Sequence, residues 1–447
     1  MPEPAPEARQ LTTAQPGLVR AIGRWSLAAL TINCIIGSGI FGLPSVISAL
    51  VGKASPFAWI FAAAATGLIM ACFAEVASRF DRSGGVYLYT RYAFGRTFGI
   101  AIAWTGWLAR LTAAAANANL FVIYCAEFWS PAKNPLPRVL ILTLLLGILA
   151  AVNYVGVRHG TAQSNVFTAA KLLTLAMFVI AALLFLVIHH QPLMVSLPSG
   201  SGKSWLRAIL LLMFAFGGYE TALMVGGEAK DPRRDYPFAL FTALSVCTLV
   251  YTMTQLAILS VLPQASTTDR PMAAAAQLMF GVWSARVVSI GVLIACYGYL
   301  SANILGFPRI LFAQSENGDL PPVLSAVHLR FRTPHIAIII FAAALWLFSL
   351  IGSFEWNVAI SAMSRLFYYG SVCAALPILR RRKDAPKPMF RLFGGNVVAG
   401  LAILTSLLLF PRLDRTSGAV LAVLALCIIA NSWWAARKEL EAHGRAE

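Results

Sequence analysis

Long apolar stretches separated by short polar segments occupy most of this 447-residue chain. A helix of roughly 17 to 25 mostly apolar residues can cross the hydrocarbon core of a bilayer. Twelve stretches reach that length, near residues 25–50, 56–78, 97–129, 138–155, 164–188, 205–228, 238–262, 275–312, 335–351, 356–379, 394–410 and 417–436. The pattern predicts an all-α integral membrane protein with 12 transmembrane helices.

The composition agrees with this pattern, and the distribution of lysines and arginines indicates which side of the membrane each loop occupies. Hydrophobic residues make up 59% of the chain, charged residues make up 12%, and the formal net charge is +17. Of the 35 lysines and arginines, 23 lie on the same side as the N-terminus, eight lie on the opposite side, and four lie inside the stretches. Cytoplasmic loops carry such an excess. We therefore expect a protein of the plasma (inner) membrane, with a disordered cytoplasmic tail at 1–24, a cytoplasmic tail at 437–447, and no nucleic-acid partner.

Two of the apolar stretches contain glycine clusters in the interior of the expected helix. The first reads TINCIIGSGIFGLPS (residues 31–45), and the second reads LLMFAFGGYETALMVGGE (residues 211–228). Glycine adopts dihedral angles that other residues avoid, and proline lacks the N–H that a helical hydrogen bond needs. Helices 1 and 6 are therefore predicted to be discontinuous within the membrane.

Each break opens a set of five predicted helices. The sets occupy residues 25–190 and 205–380, and helices 11 and 12 follow in residues 392–436. Because five is an odd number, the second set starts on the opposite side of the membrane and runs inverted relative to the first. Broken helices at matching positions of inverted halves indicate a transporter binding site. Close packing at small residues is the competing explanation of the glycines.

Unwound backbone inside a bilayer needs polar partners, because each unpaired group there costs several kcal/mol. The half-helix that begins after Gly39 presents free N–H groups and a positive dipole end, which suit a carboxylate. The half-helices that end before Gly37 and Gly217 present free carbonyls, which suit an ammonium group. Gly39 should therefore tolerate no added bulk, whereas Gly52 in the outer loop should tolerate alanine.

The chain resembles the amino acid, polyamine and organocation (APC) superfamily of transporters. The resemblance is carried, in chain order, by IIGSGIFGLPS, FAFGGYE, GGEAKDPRRDYPFAL, NILGFPRILFAQSENGDLPP, FRTPH and SRLFYYG. FTAAKLL in the fifth stretch further resembles the L-type amino acid transporters and their bacterial relatives. The resemblance covers about residues 25–380 and implies a five-plus-five inverted repeat with two added C-terminal helices.

The resemblance also implies where an amino acid substrate binds. The substrate carboxylate is expected on three backbone N–H groups, those of Gly37, Ser38 and Gly39. The substrate amino group is expected on four backbone carbonyls, those of Ile35, Phe214, Ala215 and Gly217. Phe214 is also expected to act as an aromatic gate. Candidates for contact with the substrate side chain are isolated polar residues, namely Asn117, Tyr219, Tyr297 and Asn303.

Ionisable residues inside membrane spans are costly and are functional candidates by default. Arg110 lies deep in the third stretch and Glu220 follows the second break, so we expect these two residues to form an ion pair. The alternative for Glu220 is a water-filled inner vestibule. Arg365 has polar neighbours at helical spacing, which predicts an inward-facing side chain with a structural role rather than substrate contact.

Lys171 lies about 10 Å inside the fifth stretch, on one helix face with Ser164, Thr168 and Thr174. Such a polar stripe should face protein rather than lipid. The resemblance implies that this lysine amine occupies the place of a bound cation in sodium-coupled members of the fold. A fixed ammonium there would repel Na⁺ and could release a proton during the cycle, so we expect Lys171 to brace the first helix to the fifth. A lysine that reaches the membrane edge is the alternative.

Together these features predict a secondary active transporter of α-amino acids that works by alternating access. Transport is expected to be sodium-independent, by proton symport or by amino acid exchange. The expected partners are a small-molecule amino acid, the lipid bilayer and, as a candidate, protons; the protein is expected to be a monomer or homodimer without a cofactor. A polyamine or other organic amine is the alternative substrate. A membrane-embedded enzyme and a channel are more distant alternatives, since all six histidines lie in loops, at span ends or in the tail.

Overall fold

The computed structural model describes residues 23–80, 85–155, 160–223, 230–316, 318–410 and 415–443. Residues 1–22 of the predicted N-terminal tail, residues 444–447 of the predicted C-terminal tail and part of the predicted GGEAKDPRRDYPFAL motif therefore lie outside the described residues. The described part of the chain forms sixteen α-helices joined by short turns. They are α1 (Arg24–Ile35), α2 (Gly39–Val51), α3 (Ser55–Ala77), α4 (Gly85–Phe94), α5 (Arg96–Cys125), α6 (Pro135–Val155), α7 (Gly160–Ile188), α8 (Gly202–Ala215), α9 (Tyr219–Ala222), α10 (Pro232–Val261), α11 (Pro271–Phe280), α12 (Val282–Glu316), α13 (His335–Ile351), α14 (Phe354–Arg381), α15 (Gly395–Leu409) and α16 (Arg415–His443).

The helices have the length and surface of a membrane protein. Eight helical segments of the described chain are long and apolar enough to cross a bilayer, and α11, α13 and α15 are shorter apolar helices. Large apolar side chains on the outer helices are exposed, for example Leu144 on α6 (63% exposed), Val187 on α7 (71%) and Leu426 on α16 (66%). Such surfaces suit contact with lipid chains. The count of 12 spans and the inverted repeat stay predictions.

Both predicted breaks are present. Helix α1 ends at Ile35 and α2 begins at Gly39, while α8 ends at Ala215 and α9 begins at Tyr219. The two breaks lie against each other, because a Cβ added at Gly39 would stand 2.8 Å from the Ala215 Cβ. The glycines at the breaks therefore allow the two broken segments to pack closely, and they also allow the chain to leave the helix. The two explanations offered by the sequence are thus compatible.

The breaks are held in the centre of the helix bundle. Helix α5 packs along α14, and α10 packs against both α1 and α3. The Ser361 hydroxyl on α14 donates a 2.5 Å hydrogen bond to the Ala109 carbonyl on α5. Nearly every residue from Leu108 to Leu120 on α5 is buried. The inner faces of these helices therefore enclose the broken segments.

Two expectations about glycines were wrong. The stretch 275–312 is two helices rather than one, because Gly281 ends α11 with a φ of +81°. Gly52 has a φ of +58° and a ψ of −139°, which an alanine adopts only with strain. The space around Gly52 is open, so its backbone conformation, rather than crowding, opposes the substitution.

A buried carboxylate joins α3 to the end of α14. Glu75 is fully buried and accepts hydrogen bonds from Arg380 at 2.5 and 2.9 Å and from Arg79 at 3.2 Å. The Leu392 backbone N–H donates a further bond of 2.9 Å. Each carboxylate oxygen thus has at least two partners, which is the condition under which a buried charge is tolerated.

We predict that Glu75→Gln destabilises the fold by about 3 kcal/mol, because it leaves buried arginine charge uncompensated. Thermal unfolding of the purified protein in detergent measures this as a lower Tm. Glu355→Gln is the matched control, since Glu355 pairs with Arg207 while both side chains stay well exposed, and such pairs contribute at most about 1 kcal/mol. Equal Tm changes in the two variants would contradict the prediction.

Candidate functional site

The first break exposes backbone N–H groups. The N–H groups of Gly37 and Ser38 donate none of the backbone hydrogen bonds found among the described residues. Gly39 is the first residue of α2, where an N–H has no partner within its own helix. The Ser38 carbonyl, in contrast, accepts from Phe41 and Gly42 at 3.1 Å each. The start of α2 therefore presents donors without partners inside the bundle.

A small cavity of about 20 Å³ lies between the two breaks. Its walls include all seven backbone positions that the sequence singled out, namely Ile35, Gly37, Ser38, Gly39, Phe214, Ala215 and Gly217. Asn117 from α5, Tyr299 from α12 and Arg365 from α14 complete the walls together with Cys34. Three further helices, α5, α12 and α14, thus converge on the broken segments.

Several polar atoms around this small cavity are buried without a hydrogen-bond partner. Within the described chain they are the Ser38 hydroxyl, the Asn117 side-chain oxygen, and the Nε and Nη1 atoms of Arg365. A buried polar atom left unpaired costs roughly 1 to 3 kcal/mol, so native proteins leave few of them. Three such side chains around one cavity, next to free backbone N–H groups, are typical of a binding site for a polar ligand.

Tyr251 on α10 joins the carbonyl ends of the two breaks. Its hydroxyl lies 3.1 Å from the Ile35 carbonyl oxygen and 3.2 Å from the Ala215 carbonyl oxygen. The single hydroxyl proton is donated to one of these oxygens at a time, so acceptor capacity remains at both carbonyls. The sequence analysis missed Tyr251, and its only signal was a hydroxyl group inside the apolar stretch 238–262.

A larger cavity of about 220 Å³ adjoins the second break. Its polar wall includes Arg110, Lys171, Glu220, Asn303 and Arg365, and Tyr299 borders it as well. A further cavity of about 60 Å³ shares Arg110 and Glu220 with it and continues to α4. The cavities therefore extend from the breaks toward α4.

The far end of these cavities is bordered by Tyr87 on α4. The Tyr87 hydroxyl donates to Asp319, and Asp319 also pairs with Arg91 and Arg96 at 2.9 Å each. Burial, together with the hydrogen bond to Asp319, raises the pKa of Tyr87 to about 12. The phenol therefore keeps its proton and ties α4 to the segment after α12.

Glu220 lies in a network of hydrogen bonds on α9. It accepts from the hydroxyls of Tyr368 at 2.6 Å and Tyr369 at 2.8 Å, and from the Gly218 N–H at 2.8 Å. Its carboxylate lies 3.7 Å from the Arg365 guanidinium, which gives an ion pair that the sequence analysis did not expect. Arg110 lines the same cavity as Glu220, and the expected pairing of these two residues stays a prediction.

Lys171 contacts the first break directly. Its ammonium donates to the Asn33 carbonyl at 2.6 Å and to the Ile36 carbonyl at 2.7 Å. These carbonyls belong to the last turn of α1 and to the residue that follows it, where helical partners run out. The contact between the fifth predicted helix and the first is therefore present. The side chains of Ser164 and Thr168 lie outside the described residues.

The four polar candidates for substrate side-chain contact divide into two pairs. Asn117 lines the small cavity and Asn303 lines the large one. Tyr219 stacks on Tyr369, and Tyr297 packs against Phe167. Neither tyrosine is among the residues that line these cavities. Tyr299, which the sequence analysis passed over, borders both of the cavities lined by the asparagines. Tyr297 and Tyr299 are two positions apart on α12, so their side chains point to different faces of the helix.

Comparison with known proteins places this architecture in a family. The chain is 27% identical to the branched-chain amino acid permease BcaP of Bacillus subtilis, over 90% of each chain. It is also 27% identical to the serine/threonine exchanger SteT of Bacillus subtilis, over 88% of this chain and 93% of that protein.

A solved structure agrees on the fold. The structure of Mhp1, a nucleobase-cation-symport-1 family transporter with bromovinylhydantoin bound, superposes with a TM-score of 0.58 at 17% identity. The match covers 95% of this chain and 96% of that one. A family profile described as amino acid permease matches residues 22–433. The chain therefore belongs to the amino acid permease family, whose members are multi-pass membrane transporters and not enzymes.

Proposed function

We propose that the protein carries α-amino acids across the plasma membrane as a secondary active transporter that works by alternating access. The observation that carries this proposal is the small cavity between two broken helices. It combines free N–H groups at Gly37 and Ser38 with carbonyls at Ile35 and Ala215 that retain acceptor capacity. These groups complement a carboxylate and an ammonium group held side by side.

The proposal includes the arrangement of the whole chain. Residues 25–190 and 205–380 would form the two inverted repeats, each opened by one broken helix, with residues 392–436 added after them. The cavities extend toward the side with α4, which the basic residues mark as cytoplasmic. The conformation described above would then be one that faces the cytoplasm.

The charges around the cavities support an amino acid over a polyamine. A carrier of polyamines needs carboxylates to balance several substrate cations, yet the larger cavity contains Glu220 together with Arg110, Lys171 and Arg365. The relatives BcaP and SteT are named for different amino acids, branched-chain ones and serine or threonine. The shared feature is then the α-amino acid itself, which the backbone groups of the breaks would recognise.

Lys171 supports sodium-independent coupling. Its ammonium donates to carbonyls next to the first break, and a carbonyl cluster of that kind would otherwise suit a metal cation. With the ammonium in place, Na⁺ is repelled from the Asn33 and Ile36 carbonyls, which accept hydrogen bonds from Lys171 instead. The gradient that drives transport would then be that of protons or of a second amino acid.

We predict that recognition requires both α groups of the substrate. Replacing the carboxylate by a carboxamide removes the charge that the N–H groups bind, and N-acetylation removes the ammonium. Competition against uptake of the labelled amino acid into proteoliposomes measures both effects, and neither analogue should compete. Full competition by both analogues would contradict the proposal that the breaks bind the carboxylate and the ammonium group at separate positions.

We predict that Gly39→Val folds but does not transport. The new side chain would meet Ala215, whose Cβ lies 2.8 Å from the position of an added Cβ, and it would fill the small cavity. Gly147→Val is the matched control, because Gly147 is exposed on α6 with nothing within 4 Å of an added Cβ. Elution by size exclusion checks folding. Normal uptake by Gly39→Val would place the substrate elsewhere.

We predict that uptake is independent of a sodium gradient. Initial rates in proteoliposomes should be equal with inward Na⁺ and with choline at a fixed membrane potential. A clear stimulation by Na⁺ would rule out the proposed coupling.

Lys171→Ala tests the lysine itself. Loss of the ammonium leaves the Asn33 and Ile36 carbonyls without this donor, so substrate affinity and transport rate should both fall. Unchanged kinetics in Lys171→Ala would show that the contact has no part in transport.

A further inference from the structure

A basic segment connects α14 to α15 at one end of the bundle. Helix α14 ends at Arg381, and α15 begins at Gly395. Because α14 is long and apolar enough to cross a bilayer and α15 is a shorter apolar helix, the segment 382–394 lies where the chain leaves and re-enters the apolar layer. The Tyr92 hydroxyl on α4 donates to the Asp384 carbonyl at 2.9 Å. The segment is therefore on the side with α4, which is the cytoplasmic side in the proposed orientation.

The backbone of this segment is attached to α3 and to the residues that follow it. Arg79 donates to the Pro386 carbonyl at 3.0 Å. Six residues further along the chain, the Leu392 N–H donates to the buried Glu75 carboxylate at 2.9 Å. These two attachments hold the intervening backbone in place, so the side chains between them have defined directions.

Exposed and half-buried residues alternate along the attached part of the segment. The half-buried residues are Pro386, Pro388, Phe390 and Leu392. The exposed residues are Lys387, Met389, Arg391 and Phe393. Such an alternation places successive side chains on opposite sides of the chain, as in extended backbone. The outward side therefore presents a cation, an apolar side chain, a second cation and a second apolar side chain in turn.

The cations of this region are not neutralised by the protein. Four exposed cations make no hydrogen bond or ion pair in the part of the chain that the structure describes, namely Arg381, Lys383, Lys387 and Arg391. The single acidic residue of the segment, Asp384, pairs with Arg382 at 3.0 Å. The outward surface of the segment is therefore positively charged and fits a surface of negative charge.

The two apolar side chains on the same outward side are uncovered. Phe393 is 99% exposed, more than any other large apolar side chain of the described chain, and Met389 is 51% exposed. Apolar side chains gain free energy when they leave water. At a membrane surface, cations and apolar side chains on one element bind together, because the cations reach the head groups while the apolar groups enter the boundary with the acyl chains.

We infer that segment 387–393 binds anionic phospholipids of the membrane in which the protein lies. Lys387 and Arg391 bind head-group phosphates, and Met389 and Phe393 insert between the lipids. A soluble anion would use the cations alone, whereas a lipid surface also covers the apolar side chains. The cytoplasmic leaflet carries anionic lipids and attracts clusters of four or more cations next to a spanning helix. The inference goes beyond the proposed function, because it holds whichever solute is carried, and it uses only the proposed orientation.

Lipid binding to the full-length protein tests the role of the cations. Native mass spectrometry in an uncharged detergent gives the affinities for phosphatidylglycerol and for phosphatidylcholine. Each cation near a lipid surface contributes about fivefold in affinity, so Lys387→Gln with Arg391→Gln should weaken phosphatidylglycerol at least about tenfold and leave phosphatidylcholine unchanged. Lys53→Gln with Lys203→Gln removes the same charge at exposed positions outside the segment and is the matched control. Equal affinities of the unsubstituted protein for the two lipids, or equal weakening in both double variants, would overturn the inference.

Fluorescence tests the insertion of the apolar side chains. Phe393→Trp keeps an aromatic side chain at an exposed position, so the fold should be unchanged. In nanodiscs that contain brominated phosphatidylglycerol, the emission that this substitution adds to that of the unsubstituted protein should be quenched, because bromine quenches an indole that it contacts. Emission typical of water without quenching would overturn the inference. Full competition against phosphatidylglycerol by soluble glycerol phosphate would also overturn it, since the cations would then bind a free anion.

Discussion

Backbone groups inside a bilayer must find partners, and this constraint shapes the centre of the protein. At both breaks the chain leaves the helix within the bundle, and the groups it frees are taken up by side chains from other helices. Tyr251 and Lys171 serve the carbonyls around the first break, and the Gly218 N–H at the second break is taken up by Glu220. The N–H groups of Gly37 and Ser38 find no such partner among the described residues. In the proposed function, these unsatisfied groups of the break are the ones that bind the substrate.

The charged residues near the breaks also differ in whether their polar groups find partners. Lys171 fixes the end of the first half-helix, and Glu220 orders the start of the second with help from two tyrosines. Arg365 bridges toward Glu220 without saturating its own donors. The contacts of Lys171 and Glu220 therefore hold the two broken segments between which the small cavity lies.

Local signals in the sequence predicted the breaks, whereas most of the site residues that the sequence analysis missed depend on the packing of helices against one another. The glycine clusters act within a few residues, so they mark the breaks directly. Pro44, in contrast, lies inside α2 and does not interrupt it. Tyr251, Tyr299 and the Arg365 ion pair depend on how long helices rotate and cross, which no local pattern contains. The same limit explains the choice of Tyr297 over Tyr299. The sequence analysis overlooked Gly281 and misjudged Gly52, because a positive φ, rather than composition, gives those glycines their role.

The central claim is that the N–H groups at the start of α2 bind the substrate carboxylate. Hydrogen–deuterium exchange of a peptide spanning residues 36–42, measured with the full-length protein in nanodiscs, tests it most directly. Saturating substrate should slow exchange at these amides, and the carboxamide analogue at the same concentration should leave it unchanged. Exchange that stays the same while the substrate is bound, as shown by its own binding isotherm, would contradict the account.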